Sequence, residues 1–185
     1  KNNFLSRIFT GDEFNFQSTE LATLDYNQIE NQDAIVLNEL EDLPVALGTT
    51  LKSFYEKGGN IVLIPNTKNS PSLLNAFAKN FGGFSYSELS ISGKQITKIN
   101  FNHPLYQTVF EKKVTNFQYP KTKNSFVLSS ASPAALSYED QSVFLTSIAN
   151  SVAAVAVFAA PINIENSKFQ QSPLIVPTFY KMAMN

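Results

Sequence analysis

Two short, wholly apolar runs with an amphipathic stretch between them predict an α/β fold: a mixed sheet with a parallel centre, antiparallel edge strands and helices on both faces. Ala34–Leu37 (AIVL) and Ile61–Ile64 (IVLI) lack the alternation of a strand with one wet face, so both read as strands buried on two sides in the middle of the sheet. Between them Leu47, Leu51, Phe54 and Tyr55 recur at helical spacing, after Pro44 and before Gly58-Gly59. Strand, helix and strand in so short a space make a βαβ unit with a right-handed crossover. The third observation is the change after Phe84 to short alternating stretches, the pattern of antiparallel edge strands.

The remaining elements follow from local pattern. Phe4, Leu5, Ile8 and Phe9 predict a short helix over 3–9 that packs on the sheet, stopped by Gly11 and Asp12. Phe14 to Leu24 alternates and reads as a strand. Leu73, Leu74, Phe77 and Phe81 form the inner face of a helix capped by Ser70 or Ser72 and ended by Gly82-Gly83. Around Ser92-Gly93 the stretch 85–101 reads as an edge hairpin, and His103-Pro104 opens an irregular or helical piece through Phe110. Short strands are expected at 114–119, 126–128 and 134–138, then an antiparallel pair at 143–148 and 152–158 joined by Ala149-Asn150-Ser151. An apolar helix interrupted by Pro177 closes the chain over 173–184.

Composition narrows the function. The chain has 185 residues, 43% of them hydrophobic, with 16 Phe and 7 Tyr, enough for one core, so 1–185 is expected to be one domain. A net charge of -1 with no long basic run argues against a nucleic-acid partner. With no cysteine and one histidine, disulfides, thiolate metal sites, cysteine nucleophiles and multi-histidine metal centres are excluded, and no cofactor or metal is expected. The longest apolar run, Val152 to Ile162, is about half of what a membrane-spanning helix needs. The chain opens at Lys1 without a methionine or a charged-then-apolar leader and reads as a piece of a longer protein.

In open α/β sheets ligands bind beyond the carboxyl ends of the parallel strands, which singles out the loops 38–42 and 65–70. The first offers Asn38 and Glu39, with Glu41 and Asp42 as further oxygen ligands for a cation; the plainer reading is that these acids complement the positive end of the following helix. In the second, Asn66, Thr67, Lys68, Asn69 and Ser70 precede a helix N-terminus that favours an anion, yet the loop lacks the glycines of a phosphate cradle and also reads as an ordinary capped turn. His103 is the only histidine available as a general base; the alternative is a histidine that fixes a turn by hydrogen bonding. No GxSxG surrounds any serine.

The order DAIVLNE, then FYEKGG, then NIVLIP resembles the class I glutamine amidotransferase-like, flavodoxin-like fold. More narrowly, HPLYQTVF, FAAPIN and SPLIVPTFYKMA resemble the extracytoplasmic region of Bacteroidetes BatA-domain, aerotolerance-related membrane proteins, although Asn150-Ser151 stands where that pattern often has a glycine-rich turn. True amidotransferases carry the nucleophile in a G-x-C-x-G turn after the strand matching Ile61–Ile64; here the chain reads Pro65-Asn66-Thr67-Lys68. The resemblance therefore implies a catalytically inactive domain for interaction or sensing, periplasmic, in a membrane-anchored parent, with a protein partner in the cell envelope. Two further readings stay open: a small-molecule binding module using loops 38–42 and 65–70, and a hydrolase relying on His103.

Overall fold

The computed structural model describes residues 3–110 and 118–184. Helix α1 (Asn3–Ile8) leads through a connecting segment that carries two 3-10 helices into β1 (Ala34–Asn38), α2 (Val45–Glu56), β2 (Asn60–Ile64) and α3 (Pro71–Ala78). Then come β3 (Phe84–Ser90), β4 (Lys94–Ile99), β5 (Lys121–Thr122), β6 (Ser125–Ser130), β7 (Ala134–Tyr138), β8 (Val143–Ala149) and β9 (Ala154–Phe158), before α4 (Ile175–Met184) closes the described chain. Among the described residues a seven-stranded sheet runs β1-β2-β9-β8-β7-β4-β5, and β3 pairs with β6 in a second, two-stranded sheet. β1, β2 and β9 are mutually parallel and every other pairing is antiparallel.

The mixed α/β sheet is thus present, with the βαβ unit where the two apolar runs place it. β2 is buried along its whole length, as IVLI requires. β1 pairs with it in parallel but stands at the end of the sheet rather than in its middle, with Ala34, Ile35 and Val36 only half-buried. β9 takes the central place beside β2, because Ala154–Phe158 is apolar on both faces and buried almost throughout.

Residues in register share a face, and helices lie on both. On one, Phe158 stacks on Phe179 of α4, and Phe4 of α1 meets the same Phe179 edge-on. On the other, Thr146 of β8 shares a hydrogen bond with Ser130 of β6, placing the small sheet there, and Ile148 lies against Gly83 after α3. Tyr55 of α2 meets Phe81 edge-on at the end of α3. Ser70 caps α3 by accepting from the Leu73 N–H at 3.1 Å, and Gly82 and Gly83 follow it at φ +74° and +80°.

Several local expectations are corrected. Residues 14–24 form no strand: Phe14 and Phe16 turn their rings onto Phe9, Phe14 also meets Tyr180, and a 3-10 turn occupies Leu21–Thr23. A second 3-10 helix, Tyr26–Asn31, has no counterpart in the sequence reading; Asp25 caps it through the Asn27 N–H. The hairpin at 85–101 is not one, since β3 pairs with β6 whereas β4 pairs with β5 and β7. Asn75 of α3 explains the split: its side-chain amide donates to Tyr86 O and accepts from Tyr86 N, fixing β3 against α3. Pro177 lies in the first turn of α4, where no intrahelical N–H is needed, so it does not interrupt the helix. The strand expected at 114–119 falls largely on residues outside the described ones. No helix among the described residues is long and apolar enough to cross a membrane.

Candidate functional site

β1, β2 and β9 run in one direction, so their carboxyl ends meet at one end of the sheet, the usual ligand end of such a fold. Loops 38–42 and 65–70 do converge there, and they are joined by a residue the sequence reading did not single out, Asn163. Its side-chain amide donates to Glu39 Oε1 at 2.7 Å, across 124 positions of chain. The missed signal was the parallel pairing of β9 with β2: once Ala154–Phe158 is a third parallel strand, the polar residues after it belong at the same end.

Glu39 sits in the left-handed region, φ 56°, which is costly for a residue with a Cβ, and it is 8% exposed. Its N–H donates to Ile64 O at 3.0 Å, extending the β1–β2 ladder by one rung past Asn38. Its carbonyl accepts from Asn66 Nδ2 at 2.9 Å. Asn69 Nδ2 reaches Leu40 O at 3.0 Å and Glu41 O at 3.1 Å, while Asn69 Oδ1 accepts from the Asn66 N–H at 2.8 Å. Asn66 Oδ1 in turn accepts from the Lys68 N–H at 2.9 Å. Two buried asparagines therefore use their amides to satisfy the loop carbonyls that the strand ends leave over.

The three acids of the first loop point apart. The Glu39 carboxylate meets Asn163, Glu41 pairs at 2.7 Å with the exposed Lys68 ammonium, and Asp42 accepts from the Leu43 N–H at the approach to α2. Among the described residues no group of three or more His, Asp or Glu side chains is arranged to hold a metal ion. Ser70 is the cap of α3, and Thr67, half-buried, lies at the crown of the turn.

His103 is elsewhere. β9 to β8, β8 to β7 and β7 to β4 are successive antiparallel pairs, so β4 ends where β1, β2 and β9 begin. His103 follows β4 and thus lies at the opposite end of the sheet from loops 38–42 and 65–70. A cavity of about 300 Å³ at that end is lined by Asn60 and Ala154 together with Pro104 and Leu105. The imidazole is 4% exposed; Nδ1 accepts from the Leu105 N–H at 3.2 Å. Burial pulls its pKa below 6.5, partly offset by a hydrogen bond to the Pro133 backbone. Both interactions tie a turn to the chain around it.

A groove of about 1160 Å³ lies away from the strand ends, along the β1 edge, between the segment 13–33, α2 and the end of α4.

No protein-family model matches the sequence, and no curated protein matches it. Solved structures do. A ThuA-like protein of Bacteroides uniformis superposes with a TM-score of 0.63 at 15% identity, over 98% of this chain and 82% of its own. The fold is the ThuA-like, class I glutamine amidotransferase-like one. A cytoplasmic protein of Salmonella typhimurium shares it at a TM-score of 0.61 and 13% identity, covering 92% of this chain and 76% of that one. A GH42 β-galactosidase matches at 0.57 and 12% identity over 85% of this chain, which spans only 22% of the enzyme. The ThuA-like fold is thus found both as most of a chain and as about a fifth of one, and at these identities the likeness concerns fold alone.

Proposed function

We propose that this chain is a non-catalytic interaction or sensing domain of a bacterial envelope protein, built on an amidotransferase-like fold without the amidotransferase nucleophile. The observation that carries the reading is the turn after β2. It reads Pro65-Asn66 where that chemistry needs an activated thiolate beside a base, and the Asn66 amide is spent on Glu39 O. The single histidine lies at the far end of the sheet. The use of the same fold as about a fifth of a β-galactosidase chain is in keeping with a domain that serves a larger protein. The envelope placement rests on the sequence resemblance alone, and protease accessibility of the full parent chain in spheroplasts against intact cells tests it.

Ammonia release from glutamine by the purified protein tests the absence of catalysis. No turnover above the uncatalysed rate is expected, with or without His103→Ala. Turnover that disappears in His103→Ala would replace this reading by the hydrolase one.

A second reading, small-molecule binding by loops 38–42 and 65–70, is favoured by the buried Glu39 carboxylate and its left-handed backbone at the ends of three parallel strands. Thermal shift against sugars, nucleotides, amino acids and divalent ions decides it, since a ligand at a hundred times its Kd adds about 2.7 kcal/mol of stability.

A further inference from the structure

β1 ends the seven-stranded sheet, and its register with β2 fixes which of its backbone groups face inward. Asp33 O accepts from the Asn60 N–H and the Glu39 N–H donates to Ile64 O, so the odd-numbered residues from 33 to 39 bond to β2. Alternation turns the N–H and C=O of Ala34 and Val36 the other way. Among the described residues β2 is the only strand paired with β1 and no hydrogen bond is made to those groups, although both residues are only half-buried and line the groove of about 1160 Å³ that follows this edge. An open edge of this kind is a template for another strand.

The charge around it is one-sided. Between Arg7 and Lys52 the sequence has no lysine or arginine, whereas Asp12, Glu13, Glu20, Asp25, Glu30 and Asp33 precede the edge strand. Glu13, Glu30 and Asp33 are exposed along the groove, with Lys57 as the cation among its described lining residues. Such a margin repels the β1 edge of a second copy and attracts an extended chain bearing cations.

We propose that the outer edge of β1 is a strand-addition site for an extended, lysine-bearing segment of a partner protein. This rests on the interaction reading above and names the chemistry of the partner. Backbone groups of the segment pair with Ala34 and Val36, its lysines meet Glu13, Glu30 and Asp33, and its apolar residues continue the sheet faces that Ile35 and Val36 begin.

The probe is a fluorescein-labelled peptide of about ten alternating Lys and Val residues, the length of a generous strand. Saturable anisotropy binding is expected, weaker as salt rises from ~0.05 M to ~0.5 M, and weaker with Glu30→Lys plus Asp33→Lys. Two further peptides, N-methylated at the odd or at the even amides, separate strand pairing from charge. One is expected to bind roughly tenfold or more weakly and the other to bind as the parent does. Val36→Pro, which deletes an outward N–H at an edge position, is expected to weaken the parent peptide as well; the methylated pair gives the answer even where that variant misfolds. No saturable binding, or equal binding by both methylated peptides, overturns the proposal. Self-association of the protein alone that the peptide inhibits would assign the edge to a second copy and overturn it too. Glutamine turnover with peptide binding intact would remove the non-catalytic reading and leave this site standing.

Discussion

Asn66 and Asn69 show how single residues decide what the strand ends can do. A parallel sheet leaves loop carbonyls at its carboxyl end that must find donors, and two short amide side chains with less than a tenth of their surface exposed supply them. His103 carries out the same kind of task at the other end, and its environment gives it a pH signature. Burial holds the imidazole neutral in the folded protein, so its folded pKa lies below the 6.5 of the unfolded chain. The unfolded state then binds the extra proton as pH falls through 6.5 toward the lowered value, and stability declines over that window. Denaturant midpoints at about pH 7 and pH 5 are expected to fall further apart in the wild type than in His103→Asn, which keeps an acceptor near the position of Nδ1 and does not titrate there. Equal differences in the two proteins would show that His103 ionises freely in the fold.

At the scale of the elements, the helix-to-strand junction after α2 rests on two glycines with different duties. Gly58 takes φ +107°, which an L-residue rarely adopts. Gly59 is needed for space, because a Cβ there would run into the Phe54 ring of the preceding helix. Gly59→Ala is expected to cost about 1–3 kcal/mol, seen as a lower urea midpoint at an unchanged slope, and Phe54→Leu in the same chain should recover part of it. A wild-type midpoint for Gly59→Ala would mean that the ring has room to turn aside. The junction was legible in the sequence because Gly-Gly after a helical period is a local signal. The alternation at 14–24 misled because it was also local: Phe14 and Phe16 alternate to reach Phe9 and Tyr180, and no neighbouring strand receives them.

The whole molecule depends on β2, flanked by a parallel neighbour on each side and buried along its full length. Leu63 is 1% exposed in the middle of it. Leu63→Asp would bury an unpaired charge at a cost of about 3–5 kcal/mol, and loss of soluble yield and of a cooperative melt is expected; a normal melting curve would show that the strand is not the core this arrangement makes it. Local sequence alone specifies the α/β class, the βαβ unit of β1, α2 and β2, the serine cap of α3, the glycine stops after α2 and α3, the β8–β9 pair and the terminal helix. Each of these is encoded by residues within a turn or a strand length of one another, where periodicity and backbone preference act. Tertiary packing alone sets that β9 lies between β2 and β8, that β1 ends the sheet among the described residues, that β3 leaves β4 for β6, and that Asn163 closes on Glu39. Those outcomes depend on which apolar faces meet and which carbonyls remain to be satisfied once distant segments pack, and no local pattern carries that information.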